Sequence, residues 1–248
     1  MRSRRGAAVT PGGDTTIPFA AVRGIVFDLD GTLIDSYEAI TESLNAALAG
    51  LGRPPLDAPV VRMMVGRGLE TLIARALEPD RVDAPAAIAE GVRLFRERYD
   101  RVCVPGTRLL PDVAETLAAL QQRGYVMAVA TNKPSYFARR LIDALGVGGR
   151  LAPIVGPDLV THHKPHPEMV QVALRGMGVA PGAALYVGDM EIDVETARAA
   201  GVPVVVLPTG SCDAARLRDA GADLMLPGFS ALLDLLPGPG LSSRPSDM

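Results

Sequence analysis

The sequence predicts an α/β protein whose core is a doubly wound, Rossmann-like parallel sheet, with a small all-helical domain inserted after the first strand. From about residue 105 onwards, short apolar runs alternate with helical patterns, which is typical of βαβ units with right-handed crossovers. Residues 36–104 contain helical patterns only. Polar clusters follow directly after the apolar runs. They are therefore expected at the carboxyl edge of the sheet, where ligands bind in this fold class.

The first predicted strand is the apolar run from Gly24 to Phe27, and Gly31 supplies the turn that ends it. Ser36 is the predicted N-cap of the next helix. Apolar residues at helical spacing predict helices over 37–51, 60–65, 69–77 and 86–99 in the insertion. In the core, helices are predicted over 110–123, 135–145, 167–177, 194–200, 214–220 and 230–236, and strands over 125–130, 151–155, 185–187, 204–207 and 224–226.

These elements divide the chain into four parts. The α/β core comprises residues 23–35 and 105–236, and the helical insertion comprises residues 36–104. Residues 1–22 are predicted to be a disordered N-terminal extension, and residues 237–248 a disordered tail, because both segments are rich in Pro and Gly. The extension lacks the apolar segment of a secretory signal.

Composition indicates an ordinary globular protein of 248 residues, 48% hydrophobic, with a net charge of −3. The absence of a basic excess and of Trp argues against nucleic-acid binding. No run approaches the roughly 18 apolar residues that a membrane span needs. Cys103 and Cys212 lie far apart, as expected for reduced thiols in the cytoplasm. We expect a cytoplasmic monomer or homodimer without nucleic-acid or membrane partners.

Two carboxylates stand at the end of the first strand. Asp28 and Asp30 are separated by one residue, so side chains in an extended segment would converge on one side. Two anions at one spot need a cation or a shared proton. The pair therefore indicates a metal site, an acid/base pair or a carboxylate nucleophile. Taken alone, the pattern is also compatible with a polar turn.

Further polar residues are predicted at the same edge of the sheet. Thr131 and Asn132 follow one core strand, Asp189 follows another, and Lys164 lies in a loop just before a helix. Each of these residues alone is more often a turn, cap or surface residue. Together they combine carboxylates that suit Mg²⁺ with a hydroxyl, backbone N–H groups and an ammonium that suit a phosphoryl group. The sequence therefore predicts a shared phosphate and Mg²⁺ site.

The sequence resembles the haloacid-dehalogenase-like phosphohydrolase superfamily in all four of its signature motifs, which lie at residues 27–33, 130–133, 164–167 and 187–193. The resemblance covers about residues 23–236. Within the superfamily it is greatest to the phosphoglycolate phosphatases. That finer resemblance rests on the Thr131-Asn132-Lys133-Pro134 segment, the Val65-Gly66-Arg67-Gly68 loop and the helical insertion.

The resemblance implies that the first two carboxylates perform the chemistry. Asp28 is implied as the nucleophile, which forms an aspartyl-phosphate. Asp30 is implied as the acid that protonates the leaving group and then as the base that activates water. A halide leaving group needs no general acid, so the presence of Asp30 favours phosphate chemistry over dehalogenation.

The remaining motif residues are implied to hold the phosphoryl group and the metal. Thr131, Asn132 and Lys164 are the implied phosphate ligands. Asp193 is implied to orient either Lys164 or the water shell of the metal. The implied ligands of Mg²⁺ are Asp28, the backbone carbonyl of Asp30, and Asp189.

The helical insertion is implied to be a cap that closes over the site, excludes bulk water and selects the substrate. Its expected hinges are Asp35-Ser36 and Val104-Pro105-Gly106. Arg67, in the glycine-flanked loop, is the candidate contact to a substrate carboxylate. A solvated arginine beside a helix start is the alternative for Arg67.

The leading hypothesis is a Mg²⁺-dependent phosphatase that acts on a small phosphorylated metabolite, 2-phosphoglycolate in particular. A phosphomutase of the β-phosphoglucomutase type and a pyrophosphatase are alternatives on the same scaffold. A non-catalytic binding protein is a further alternative. Such a protein is expected to have lost Asp28, Asp30 or Lys164, and all three are present.

Overall fold

The structure is a computed structural model that describes residues 10–11, 17–77 and 84–238. Its core is a seven-stranded sheet with helices on both faces. The strands of this sheet are β1 (Thr10–Pro11), β2 (Gly24–Phe27), β5 (Val126–Ala130), β6 (Ile154–Val155), β7 (Ala184–Gly188), β8 (Val204–Val206) and β9 (Leu224–Met225). Strands β3 (Ile34–Asp35) and β4 (Arg108–Leu109) form a separate two-stranded sheet. The helices are α1 (Tyr37–Gly50), α2 (Ala58–Met64), α3 (Leu69–Leu77), α4 (Ala84–Val102), α5 (Val113–Gln122), α6 (Ser135–Ala144), α7 (Glu168–Met177), α8 (Glu191–Ala199), α9 (Ala214–Asp219) and α10 (Leu232–Leu235).

The order of strands in the main sheet is β1-β9-β8-β7-β2-β5-β6. Strands β9 to β6 in this order are all parallel, and β1 runs antiparallel to β9. After β2 the chain builds β5 and β6 on one side, and then β7, β8 and β9 on the other. Doubly wound sheets bind ligands where the direction of winding reverses, and here that point lies beside the carboxyl end of β2. The predicted α/β fold class is confirmed.

The central strand β2 is buried on both faces, which explains why it is apolar throughout. Ile25 and Phe27 pack into one hydrophobic cluster with residues of α5, α6 and α10. Val26 lies in a second cluster with residues of α7 and α8. This division follows from the alternation of side chains along a strand. Because all three side chains are fully buried, the residues that follow Phe27 have a fixed position.

Helices α1 to α4 form an all-helical insertion between β3 and β4, and we call this segment the cap. Within the cap, α1 packs along α4. Phe95 and Tyr99 of α4 stack with their ring centroids 5.3 Å apart. Tyr99 also lies edge-on against Phe137 of α6, at 5.0 Å between centroids. Tyr99 therefore connects the cap to the core.

The two connections between cap and core run side by side. Strand β3 precedes the cap, β4 follows it, and the two form an antiparallel pair. Arg108 of β4 forms an ion pair with Asp35 of β3. The predicted hinge residues therefore lie next to a small two-stranded sheet.

Several predicted boundaries need correction. Helix α5 begins at Val113 rather than at residue 110, because Asp112 has a left-handed backbone conformation, with a φ of 63°, that is incompatible with a helix. Ser36 precedes α1 as predicted, but its side chain makes no capping bond, since its hydroxyl donates to Asp30. Helix α8 begins at Glu191 rather than at residue 194.

Part of the predicted N-terminal extension belongs to the fold. Strand β1 extends the sheet beyond β9, which leaves β9 paired on both sides. Ile17 and Val22 are buried in the main hydrophobic cluster, so apolar packing holds residues 17–22 against the core. Residues 1–9 and 12–16 of the extension, and 239–248 of the predicted tail, lie outside the described residues.

Cys103 and Cys212 are both buried free thiols. Over the described parts of the chain, no helix is long and apolar enough to cross a membrane.

Arg62 of α2 fastens the cap to a core loop. Its guanidinium donates to the carbonyls of Thr209, at 2.8 Å, and Gly210, at 3.0 Å, and lies 4.2 Å from the centroid of the Tyr37 ring. Hydrogen bonds from charged groups contribute about 1.5–3 kcal/mol each in favourable settings, and cation–π contacts at exposed sites about 0.5–1 kcal/mol.

We predict that Arg62→Ala lowers the free energy of unfolding by about 2 kcal/mol, which corresponds to a fall in Tm of roughly 4–8 °C. Differential scanning calorimetry measures the change. The control is Arg139→Ala, since Arg139 is exposed on α6 and its loss is expected to change stability by less than about 0.5 kcal/mol. Equal melting temperatures for the two variants would contradict the assignment.

Candidate active site

The residues predicted to form a site meet at the carboxyl edge of the sheet. Asp28 follows β2, Thr131 follows β5 and Asp189 follows β7. Because β5 and β7 are the two neighbours of β2, these three side chains start from adjacent strand ends. Lys164 enters from the loop before α7 and is buried with them.

Lys164 joins two of the carboxylates. Its ammonium Nζ lies 2.8 Å from Oδ1 of Asp28 and 2.9 Å from Oδ1 of Asp193. Burial lowers the pKa of Lys164, but the charges of Asp193 and Asp28 outweigh that effect, and the pKa is raised above its usual value. The lysine is therefore a permanent cation in the site.

Asp193 is fully engaged by its neighbours. Besides the contact with Lys164, its Oδ1 accepts the hydroxyl of Tyr186 at 3.0 Å. Its Oδ2 accepts the backbone N–H groups of Asp189, at 3.1 Å, and Met190, at 3.0 Å. These bonds cap α8 and fix the loop that carries Asp189. Asp193 thus contacts the ammonium of Lys164, which is the geometry expected if it orients that lysine.

Asp189 has one oxygen without a partner. Its Oδ1 accepts the hydroxyl of Thr32 at 2.6 Å, whereas Oδ2 is buried and has no hydrogen-bond partner among the described residues. Burial, followed by the charges of Asp193 and Asp28, raises the pKa of Asp189 well above its usual value. A buried carboxylate oxygen without a donor is suited to a bound cation.

Glycines bring the backbone against this free oxygen. A Cβ at Gly210 would lie 1.5 Å from Oδ2 of Asp189, and one at Gly31 would lie 2.5 Å from it. Gly31 also has a φ of +88°, a conformation that other residues rarely adopt. Only glycine fits at either position while Asp189 keeps this orientation.

Asp28 completes a group of three carboxylates. One oxygen each from Asp28, Asp189 and Asp193 lie within 4.8 Å of one another. Burial raises the pKa of Asp28 to about 6, and the nearby Lys164 only partly offsets this effect. The ordinary pKa of an aspartate, which applies in the unfolded chain, is 3.8. Because the pKa of Asp28 is higher in the folded protein, its ionisation lowers the free energy of unfolding as the pH rises from about 4 to about 6, by on the order of 3 kcal/mol. Oxygen ligands, mutual repulsion and the free Asp189 oxygen together fit a hard divalent cation such as Mg²⁺.

Asp30 is held by two residues for which the sequence predicted no such role. Nζ of Lys133 lies 2.9 Å from its Oδ2, and the hydroxyl of Ser36 donates to its Oδ1 at 2.5 Å. Lys133 belongs to the segment that also contains Thr131. Each carboxylate of the first motif therefore contacts a different lysine: Asp28 contacts Lys164, and Asp30 contacts Lys133.

Thr131 and Asn132 shape the other wall. The Thr131 hydroxyl accepts the N–H of Lys133 at 3.2 Å. The Asn132 side chain donates to the carbonyl of Gly66 in the cap at 2.9 Å and accepts the N–H of Lys164 at 3.3 Å. The amide of Asn132 is thus occupied by protein partners, and it links the cap loop to the lysine loop.

Of these site residues, Asp28, Asp30, Thr131, Asn132 and Lys133 open onto a cavity between core and cap. Its polar lining comes from the core, and its apolar lining comes largely from the cap helices. The lining residues are Asp28, Asp30, Ile40, Val65, Gly66, Gly68, Leu69, Leu72, Phe95, Tyr99, Thr131, Asn132, Lys133, Pro134 and Phe137. A small molecule bound here would place a polar group on the carboxylates and its remainder under the cap.

Comparison with known proteins decides the family. Residues 25–207 match the model of the haloacid dehalogenase-like hydrolase family. The chain belongs to this family.

Individual relatives agree with the family assignment. The phosphoglycolate phosphatase of Escherichia coli is 35% identical over 241 residues, which cover 90% of this chain and 94% of that protein. The structure of a predicted phosphoglycolate phosphatase from Haemophilus somnus is 30% identical with a TM-score of 0.80, covering 90% of this chain and 99% of that one. The structure of CbbY from Rhodobacter sphaeroides in complex with phosphate is 29% identical with a TM-score of 0.75, covering 87% and 99%. The chain is accordingly a phosphoric monoester hydrolase of the haloacid dehalogenase-like family.

One predicted site residue of this hydrolase lies elsewhere. Arg67 is exposed and lines a separate cavity with Arg75 of the cap and Arg216 of the core. The side chain of Met190 lies against Gly66, where an added Cβ would meet its sulfur at 2.2 Å. The structure therefore does not bring Arg67 to the cavity that contains Asp28 and Asp30.

We predict that Asp193→Ala destabilises the hydrolase by about 3–5 kcal/mol, because the substitution leaves a buried lysine with one partner fewer and removes the acceptor for two N–H groups. Urea unfolding followed by circular dichroism measures the loss. Asp219→Ala is the matched control, since Asp219 is exposed. An Asp193→Ala protein within 1 kcal/mol of the control would show that Asp193 does not organise the site.

Proposed function

We propose that the protein is a Mg²⁺-dependent phosphatase that hydrolyses a small phosphomonoester, 2-phosphoglycolate in particular, through an aspartyl-phosphate intermediate. One observation carries the proposal. Asp28 and Asp30 face the same cavity, and each is held by a different buried lysine. This arrangement separates a carboxylate for attack from a carboxyl group for proton transfer.

In the first proposed step, an oxygen of Asp28 attacks the phosphorus atom of the substrate. A bond forms between that oxygen and phosphorus, and the bond from phosphorus to the ester oxygen breaks. Asp30, protonated at this stage, gives its proton to the departing oxygen, so that oxygen leaves as a hydroxyl group rather than as an alkoxide. In the ligand-free protein, Ser36 and Lys133 hold the Asp30 carboxyl group at the cavity.

In the second step, water attacks the phosphorus atom of the aspartyl-phosphate. Asp30, now ionised, takes the proton of the water, and the bond from phosphorus to Asp28 breaks. Inorganic phosphate leaves and both side chains return to their starting states. Two displacements at phosphorus replace one direct attack by water, so each has a lower barrier.

The phosphoryl group carries negative charge towards a carboxylate nucleophile, and this repulsion must be offset. We propose that Lys164, the Thr131 hydroxyl and neighbouring backbone N–H groups hold the phosphoryl oxygens. Asp28, Asp189 and the carbonyl oxygen of Asp30 would hold Mg²⁺, which when bound supplies further positive charge at the phosphoryl group. The unpartnered oxygen of Asp189 supports this assignment.

The choice of substrate rests on two observations. Relatives at 35% identity are named phosphoglycolate phosphatases. The cavity under the cap is also lined by several bulky apolar side chains, such as Leu72 and Phe95, which favours a compact substrate.

The free state of Cys103 and Cys212 supports our proposal that the enzyme works in the cytoplasm.

A substrate panel tests the proposal. We expect kcat/KM with Mg²⁺ to be at least about 10-fold higher for 2-phosphoglycolate than for a hexose 1-phosphate or pyrophosphate. A 10-fold ratio corresponds to a difference of about 1.4 kcal/mol in transition-state binding. Release of inorganic phosphate is measured, together with any hexose 6-phosphate formed. Isomerised sugar phosphate as the main product would establish the phosphomutase alternative instead.

Asp28→Asn is expected to reduce turnover at least about 1,000-fold, since the amide is a poor nucleophile, while the fold persists. Acid-quenched wild-type enzyme should carry a phosphoryl group on the peptide that contains Asp28, detected by mass spectrometry. Asp219→Asn serves as the control and should keep wild-type turnover. Full activity of Asp28→Asn would exclude the aspartyl-phosphate route.

A further inference from the structure

The chain contains only two lysines, Lys133 and Lys164, beside 23 arginines. Both lysines are buried at the active site, with side chains 6% and 2% exposed. Every other basic side chain of the protein, apart from histidines, is an arginine. A compact ammonium is therefore found only where it meets the catalytic carboxylates. Lys164 has a role in the proposed mechanism, and Lys133 calls for one of its own.

The surroundings of Lys133 include an unused hydrogen-bond donor. Tyr99 of the cap helix α4 is 1% exposed, and its hydroxyl has no hydrogen-bond partner among the described residues. The Lys133 ammonium lies 4.9 Å from the centroid of the Tyr99 ring. Both side chains line the catalytic cavity. A buried hydroxyl without a partner beside an ammonium is suited to an anionic group supplied by a ligand.

The charges that line the cavity indicate which ligand group Lys133 can bind. Among the residues that line the cavity, Asp28 and Asp30 are the acids and Lys133 is the one cationic side chain. An anionic leaving group that enters the cavity therefore has one cationic side chain to meet.

The order of groups along the site matches the order of groups in one class of substrate. Asp28 is the proposed nucleophile, Asp30 is the proposed proton donor to the ester oxygen, and Lys133 contacts Asp30, with its Nζ 2.9 Å from Oδ2. A phosphorylated 2-hydroxy acid carries phosphorus, ester oxygen, one carbon and a carboxylate in the same sequence. Its carboxylate would reach the ammonium when its phosphorus reaches Asp28.

We propose that Lys133 and Tyr99 form the receptor for the carboxylate of the substrate leaving group. The inference rests on the proposed phosphatase function and names the group that selects the substrate. In the free protein, the carboxylate of Asp30 occupies the ammonium. A substrate carboxylate competes for the same ammonium and displaces Asp30 towards the ester oxygen. Recognition of the acid and placement of the proton donor are thus one event.

Lysine-selective NMR tests the receptor in the intact enzyme. Protein labelled with ¹³C at the lysine Cε positions gives two side-chain signals, because it has two lysines, and Lys133→Arg assigns them. The probes are 3-phosphonopropionate, which mimics 2-phosphoglycolate and cannot be hydrolysed, and propylphosphonate, which lacks the carboxylate. Both are added in the presence of Mg²⁺.

We expect both phosphonates to shift the Lys164 signal and only 3-phosphonopropionate to shift the Lys133 signal. A Lys133 signal that responds equally to both, or to neither, while Lys164 responds, would overturn the receptor and leave the phosphatase proposal intact. Absence of any shift at Lys164 would contradict the proposed phosphate site, and the receptor with it.

Kinetics with matched substrates provides an independent test. We compare 2-phosphoglycolate with 2-hydroxyethyl phosphate, which has a neutral hydroxymethyl group in place of the carboxylate. Lys133→Met is expected to reduce kcat/KM about 100-fold more for the acid than for the neutral ester, and Lys133→Arg should restore part of the difference. Tyr99→Phe should reduce the same preference by a smaller factor. Equal losses on both esters would assign Lys133 a purely structural role.

Discussion

The site depends on placing four aspartates, three of them buried and one partly buried, at one edge of a parallel sheet against two buried lysines. Asp28, Asp189 and Asp193 crowd together, and Asp30 lies one residue beyond Asp28. Burial raises the pKa of Asp28 and of Asp189, and repulsion from neighbouring carboxylates adds to this effect. A bound divalent cation would relieve this repulsion. The buried carboxylates proposed to bind the cation are therefore also groups that reduce the stability of the fold.

The rest of the structure serves to hold these charges in place. Burial of β2 on both faces fixes the start of the Asp28 loop, and the parallel neighbours β5 and β7 bring their own loops to the same edge. Asp193 ties Lys164 to the loop of Asp189 through its two oxygens. The cap adds an apolar cover and the Tyr99 side chain.

Much of this arrangement follows from local sequence patterns. Residues that end central strands must meet in a doubly wound sheet, so Asp28, Thr131 and Asp189 could be placed together from the sequence alone. The partners of Asp30 could not, because Ser36 and Lys133 reach it from separate loops by side-chain direction rather than by spacing. The position of Arg67 was likewise beyond prediction, since it depends on how a glycine-flanked loop turns against Met190. The scarcity of lysine was the available signal for Lys133.

The most direct test of the account is the effect of Mg²⁺ on thermal stability. At a free concentration of about 100 times Kd, Mg²⁺ should stabilise the wild type by about 2.7 kcal/mol, a rise in Tm of roughly 5–10 °C. Asp189→Asn should lose this rise, because it removes the charge on the carboxylate with the unpartnered oxygen, and Asp219→Asn should keep it. A wild-type Tm that does not respond to Mg²⁺, or a response that survives Asp189→Asn, would contradict the claim that the buried carboxylates form a cation site.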